Sequence, residues 1–258
     1  METPIDEKKP TSLIERLFAV GAHFGFSKSR RHPTVSPYLF GTKHGTDIFD
    51  LEKTSALLEE TKNVLFEAGK KGDVVLFVGT KTEIAHLVKT AAEKVEAPFV
   101  TNRWIGGMLT NAQEIKKRIT RLKDLTEQGE SGELERKYTK KERVLIGREM
   151  DKLSFNFGSI RNMDRMPRFM LVVDPRHDWI AVNEARHMKI PIIGISSSDG
   201  NLSRITYPVV ANDALQSSIR FVLGELTDAY IKGKAEYVVP QKKETKEVME
   251  TTDRRPRP

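Results

Sequence analysis

The run Gly72-Asp73-Val74-Val75-Leu76-Phe77-Val78-Gly79 holds five consecutive apolar residues between two turn signals. Five are too few for a helix, and their lack of alternation is the pattern of a strand covered on both faces. Leu51 to Lys71 before it and Thr82 to Val95 after it repeat apolar residues at helical spacing, so the segment is a βα step. The same alternation returns downstream. Phe169 to Val173 reads as a strand, Trp179 to Met188 as a helix, Ile190 to Ile195 and Tyr207 to Val210 as strands, and Asp213 to Tyr230 as a closing helix. Aliphatic strands separated by helices predict an α/β fold, a parallel sheet sandwiched by helices.

One segment interrupts the alternation. Met108, Ala112, Ile115, Ile119 and Leu122 are spaced 4, 3, 4, 3, and Ile146, Met150, Leu153, Phe157 and Ile160 repeat that spacing, so both are coiled-coil seams. Gly129, Ser131 and Gly132 lie between them. The simplest arrangement is an antiparallel hairpin of two helices joined by a bend and inserted after the strand Phe99-Val100. Helices of about 16 to 20 residues would carry it roughly 25 to 30 Å outward. Between Ala112 and Phe155 there are 12 Lys or Arg against 9 Asp or Glu, a net of only +3, but the bases bunch at Lys116, Lys117, Arg118 and Arg121 near the root.

Composition removes several classes. No cysteine is present, which excludes disulfides, thiolate metal sites and a cysteine nucleophile. Met1 to Pro10 carries acids and prolines in place of an apolar leader, and no apolar run approaches the length of a membrane span, so a cytoplasmic location is expected. The formal net charge of +7 is too small to name a partner, but its placement is informative. Between Glu15 and Asp47 there is no acid, while Arg16, Lys28, Arg30, Arg31 and Lys43 are fixed cations and His23, His32 and His44 titratable ones. Glycines and prolines punctuate this stretch and favour an irregular surface segment over helix or strand. Phe24, Phe26, Tyr38 and Phe40 are interleaved with the bases. Cations for phosphates and aromatic planes for unstacked bases suit an irregular RNA surface; equally, the aromatics would anchor a solvated loop.

Catalytic constellations are scarce. Neither a Walker loop nor the dinucleotide glycine fingerprint occurs. Val78-Gly79-Thr80-Lys81-Thr82 reads as a tight turn with an N-cap threonine. Gly194-Ile195-Ser196-Ser197-Ser198 falls one glycine short of a nucleophile elbow. The six histidines show no metal spacing, and no cofactor is expected. Asp174, at the end of a strand, would cap the helix that follows. The alternative function is a nucleotide-binding α/β enzyme working at the strand ends near Gly79, Asp174 and Ser196. In Arg103 to Asn111, Arg103 and Trp104 offer a cation and a stacking plane at the hairpin root, or Trp104 plugs the junction.

An ordered set of motifs resembles the bacterial-type small-subunit ribosomal protein S-two family: Gly21 to Gly25, Pro37 to Gly41, Asp50 to Thr54, Phe77 to Lys81, Arg103 to Asn111, Val173 to His177, Glu184-Ala185 and Asn212 to Ala214. The resemblance spans about Thr11 to Tyr230. It implies a Rossmann-like body with an inserted coiled-coil hairpin and a structural, non-enzymatic role in the small ribosomal subunit. The implied partners are small-subunit (16S-type) ribosomal RNA and neighbouring ribosomal proteins, including the large messenger-binding protein one. Phe26, Arg31-His32 and Ser196 to Ser198 depart from the family pattern, which bears on local contacts.

The expected organisation is a flexible N-terminus over 1–10, a body formed by 11–107 and 161–231 with the basic loop 16–46, an inserted hairpin over 108–160, and a disordered tail over 232–258. Arg16, Lys28, Arg30, Arg31, Lys43, Arg103, Lys116, Lys117, Arg118 and Arg121 are the expected phosphate contacts, with His44 and Trp104 toward ribose or base.

Overall fold

The computed structural model describes residues 12–163 and 165–237. Its centre is a five-stranded parallel sheet in the order β5-β4-β6-β7-β8, with β4 Val75–Val78, β5 Phe99–Val100, β6 Phe169–Val173, β7 Ile192–Ser196 and β8 Tyr207–Val210. Alternating side chains go to opposite faces. Val75, Phe77, Leu171, Val173, Ile193 and Ile195 meet one apolar cluster, shared with α2 Leu51–Lys71, α3 Thr82–Lys94 and α8 Gln216–Ala235. Leu76, Val78, Met170, Val172 and Ile192 meet the other, shared with α7 Trp179–His187. Each buried aliphatic or aromatic side chain contributes about 1.5 to 3 kcal/mol. Pro208 is tolerated because β8 is an edge strand and needs no N–H there.

α2 and α8 pack together at glycines. A Cβ on Gly233 would lie 2.1 Å from the Phe66 carbonyl oxygen, and one on Gly69 would lie 2.5 Å from that of Tyr230. Only a missing side chain permits this approach. α8 therefore continues to Ala235, past the boundary expected at 231; residues 1–11 and 238–258, which include most of the expected flexible ends, lie outside the described residues. α3 begins at Thr82, where the sequence predicts it, with Lys81 and not a threonine as its N-cap.

The stretch expected to be irregular is instead regular. α1 spans Leu13–Ala19, and β1 Phe24–Ser27, β2 Leu39–Lys43 and β3 Thr46–Phe49 form an antiparallel sheet in the order β1-β3-β2. Two 3-10 turns, Lys28–Arg30 and Pro33–Tyr38, accommodate the prolines. Glycine again serves the turn: His44 and Gly45, with φ of 50° and 78°, supply the left-handed pair of a tight two-residue hairpin.

The interrupting segment holds α4 Ala112–Glu130 and α6 Lys140–Phe157, which pack side by side. Arg121 pairs with Glu149 at 3.4 Å and the Asn102 amide donates to the Phe155 carbonyl, so the two helices run in opposite directions. Ile115, Ile119, Leu122, Leu125, Leu153 and Phe157 are buried in the same apolar cluster as one face of the sheet. A short helix, α5 Glu133–Lys137, stands where a simple bend was expected. A capping box at Thr139 and Glu142 starts α6.

Candidate nucleic-acid interface

The small sheet collects one group of cations. The Lys28 N–H donates to the Gly45 carbonyl at 2.9 Å, and Lys43 and Ser27 both pair with Thr46 on β3, so Lys28 and Lys43 border the same hairpin end as His44. All three are exposed. The Arg30 guanidinium lies 5.9 Å from the centre of the Phe26 ring, a cation held over an aromatic face.

Arg31 does not belong to this exposed group. Its Nε donates to Asp47 Oδ2 at 2.8 Å, its Nη2 bonds Asp47 Oδ1, and Nη2 also donates to Thr42 Oγ1 at 2.7 Å. Asp47 is fully buried, and the hydrogen bonds from Arg31 hold its carboxyl below the usual carboxylate range in spite of burial. Arg31, expected to neutralise phosphate, is here paired with the acid that ends the acid-free run. With Asp47 so covered, no exposed acid stands between Glu15 and Asp50. Arg16 is likewise engaged, in an ion pair with Glu225 at 3.0 Å and 4.7 Å from the Phe221 ring centre.

The positions that depart from the family pattern touch one another. Ser198 Oγ accepts the Phe26 N–H at 2.8 Å, and the Ser198 carbonyl accepts the His32 N–H at 2.8 Å. Ser196, Ser197 and Ser198 are buried. They join the small sheet to the end of β7 and present nothing to a partner.

The second group lies at the root of the helix pair. Arg103 is exposed on the loop, and Lys116, Lys117, Arg118 and Arg121 are exposed on α4. Lys117 pairs with Glu114 at 2.6 Å and Arg121 with Glu149, while Arg103 and Arg118 carry no ion pair among the described residues. Such exposed pairs contribute little to stability.

Trp104 is only 6% exposed. Its indole N–H donates to Glu184 Oε1 at 3.1 Å, so it plugs the junction and leaves little of the ring for the expected contact with ribose or base. Glu184, on α7, also accepts the N–H groups of Gly107 at 2.7 Å and Leu109 at 3.0 Å. Burial pushes the Glu184 carboxyl up, but these donors together outweigh it and hold it below its ordinary value of 4.5. A depressed carboxyl contributes stability above its unfolded value and loses it as the pH falls through the folded one, so the root loosens only in acid below about 4.5. The only sequence signal for this clamp is an acid on the buried face of α7, beside Ala181 and Ala185.

The strand ends proposed for an enzyme are occupied by internal bonds. The Thr80 N–H and hydroxyl donate to the Asp178 carboxylate at 3.0 and 2.6 Å. Lys81 pairs with Asp174 at 3.4 Å, and Arg176 pairs with Asp199. A Cβ at Gly79 would sit 2.7 Å from Val88, so that glycine serves helix packing and not phosphate approach. The serines are buried, and the Ser197 N–H donates to Asp213. The nucleotide-enzyme alternative is set aside on these grounds.

The model of the family described as Ribosomal protein S2 matches residues 17–233. The chain belongs to the ribosomal protein S2 family. The chain is 37% identical to the small ribosomal subunit protein uS2 of Solidesulfovibrio magneticus over 227 residues, 88% of each chain. It is 36% identical to that of a Picosynechococcus species, over 87% of this chain and 88% of the relative. The corresponding protein of Helicobacter hepaticus is 34% identical over 93% of this chain and 90% of its own. Within this family the chain is a structural ribosomal protein and not an enzyme. No helix among the described residues is long and apolar enough to cross a membrane.

Proposed function

We propose that the chain is a structural component of the small ribosomal subunit that grips small-subunit, 16S-type ribosomal RNA at two places. Lys28, Arg30, Lys43 and His44 act at the small sheet, and Arg103, Lys116, Lys117, Arg118 and Arg121 act at the root of the helix pair. The observation that carries this reading is the surface charge of the small sheet, where every acid between Glu15 and Asp50 is either absent or buried. The relatives named above are small-subunit proteins, and the cytoplasmic particle is the corresponding setting. The resemblance further supports the large messenger-binding protein one as a neighbour.

With six to ten phosphates contacted, affinity for the small-subunit RNA should fall by about 10³ to 10⁵ between 50 and 200 mM salt. Each cation removed at Lys28, Arg30 or Lys43 should lower the logarithmic salt slope by about one. Binding with almost no salt dependence would overturn the assignment. Small subunits assembled without the chain should retain less of the messenger-binding neighbour, measured by co-sedimentation.

A further inference from the structure

Of the five aromatic side chains between Glu15 and Asp47, the structure leaves one uncovered by another ring, a cation or the core; Phe18 is stacked on His23, with ring centres 4.5 Å apart. Phe24 is partly covered by the His23 ring, tilted 40° to it with ring centres 4.0 Å apart. Phe26 lies under Arg30. Tyr38 packs against the apolar core beside the sheet. Phe40 is 82% exposed, more than any other large apolar side chain among the described residues, and no ring or cation among those residues covers it.

Its placement is also unusual. Leu39 pairs with Phe49 and Gly41 with Ile48, the next residue back on β3, so Phe40 is the extra residue of a bulge on β2. Bulges re-aim a side chain out of the regular ladder. A solvated phenylalanine contributes nothing to the core, and charge alone does not call for one. Three residues further along the same strand, roughly 10 Å away at strand rise, Lys43 begins the cationic hairpin end.

We infer that Phe40 is a stacking platform for one unpaired base of the ribosomal RNA, with the Lys43 end of the sheet holding the flanking phosphates. The inference rests on the RNA reading above and adds a contact that has no charge. A flat ring on a cationic, acid-free sheet suits a nucleobase, whose π-face any sequence supplies. An apolar protein surface would have to be set down among unpaired cations. The absence of exposed acid decides for RNA.

The test titrates the full chain against small-subunit RNA alone and against small subunits lacking the chain. Phe40→Ala should bind RNA on the order of 5- to 100-fold more weakly. Its logarithmic salt slope should equal wild type, because no cation is lost, and its melting temperature should be unchanged. Phe40→Leu should resemble Phe40→Ala, while Phe40→Tyr and Phe40→Trp should restore binding, since they keep a plane. Equal RNA affinity in wild type and Phe40→Ala overturns the inference and leaves the salt-dependent reading intact. A loss seen only on the subunit and not on RNA overturns it in favour of a protein neighbour, and a lowered melting temperature marks Phe40 as structural. A wild-type chain that fails to bind RNA at all overturns both readings.

Discussion

The molecule contains two sheets that obey opposite rules. The five-stranded sheet is parallel, apolar on both faces and closed to solvent by helices. The three-stranded sheet is antiparallel, half-open, irregular in register and surrounded by cations. The first is held by the area it buries, and the second depends on a few specific polar bonds to stay in place. The difference teaches that apolar area and specific polar bonds hold two parts of one protein, and on the proposed reading the polar-bonded part is one of the two offered to RNA.

Removing the strongest of those polar bonds tests the contrast most severely. Arg31→Ala strands the buried Asp47 carboxylate and should cost on the order of 3 to 5 kcal/mol. Hydrogen exchange should show the loss of protection concentrated in β1, β2 and β3, with the parallel sheet retained. Uniform loss across both sheets would show that they unfold as one unit and would break the contrast.

The next test strikes the parallel body. Gly233→Ala places a methyl group against the Phe66 backbone and should lower stability by about 1 to 3 kcal/mol in a chemical denaturation series. Affinity for RNA, measured at a temperature where the variant is folded, should hardly change.

Another test sharpens the contrast through pH. Asp213 is pushed up to about 8, first by burial and then by the charges of Asp174 and Asp199. Its ordinary value is 3.8, so the folded state holds the proton more tightly and stability from this group declines as the pH rises from about 4 toward 8. Asp213→Asn keeps an acceptor for the Ser197 N–H and should raise the melting temperature at pH 8 by a few degrees, with little gain at pH 4. An equal gain at both values would show that its charge is not the cause.

The two sheets also differed in how far the sequence disclosed them. Strands such as Phe169–Val173 are legible because burial on both faces leaves an unbroken aliphatic run. β1 and β2 carry Gly25 and Gly41 inside short strands and pair through bulges, so no two-residue period survives to be read. The acid-free run was visible as charge. That Arg31 is spent on Asp47, or that Trp104 is turned inward by Glu184 from 80 residues away, depends on contacts that local pattern does not encode. Phe40 was visible as one aromatic among five, and its exposure and its place in a bulge separated it from the rest.

The clamp around Glu184 has a consequence for assembly. It ties the loop at the root of the helix pair to α7, while Ser198 ties the small sheet to β7, and α7 and β7 belong to the same body. The two cationic groups are thus carried at a preset separation. On the proposed reading, once one engaged RNA the other would meet its target at a high effective concentration instead of searching for it. Two such grips joined through a stiff body would then act as a gauge, favouring RNA already folded to the matching span.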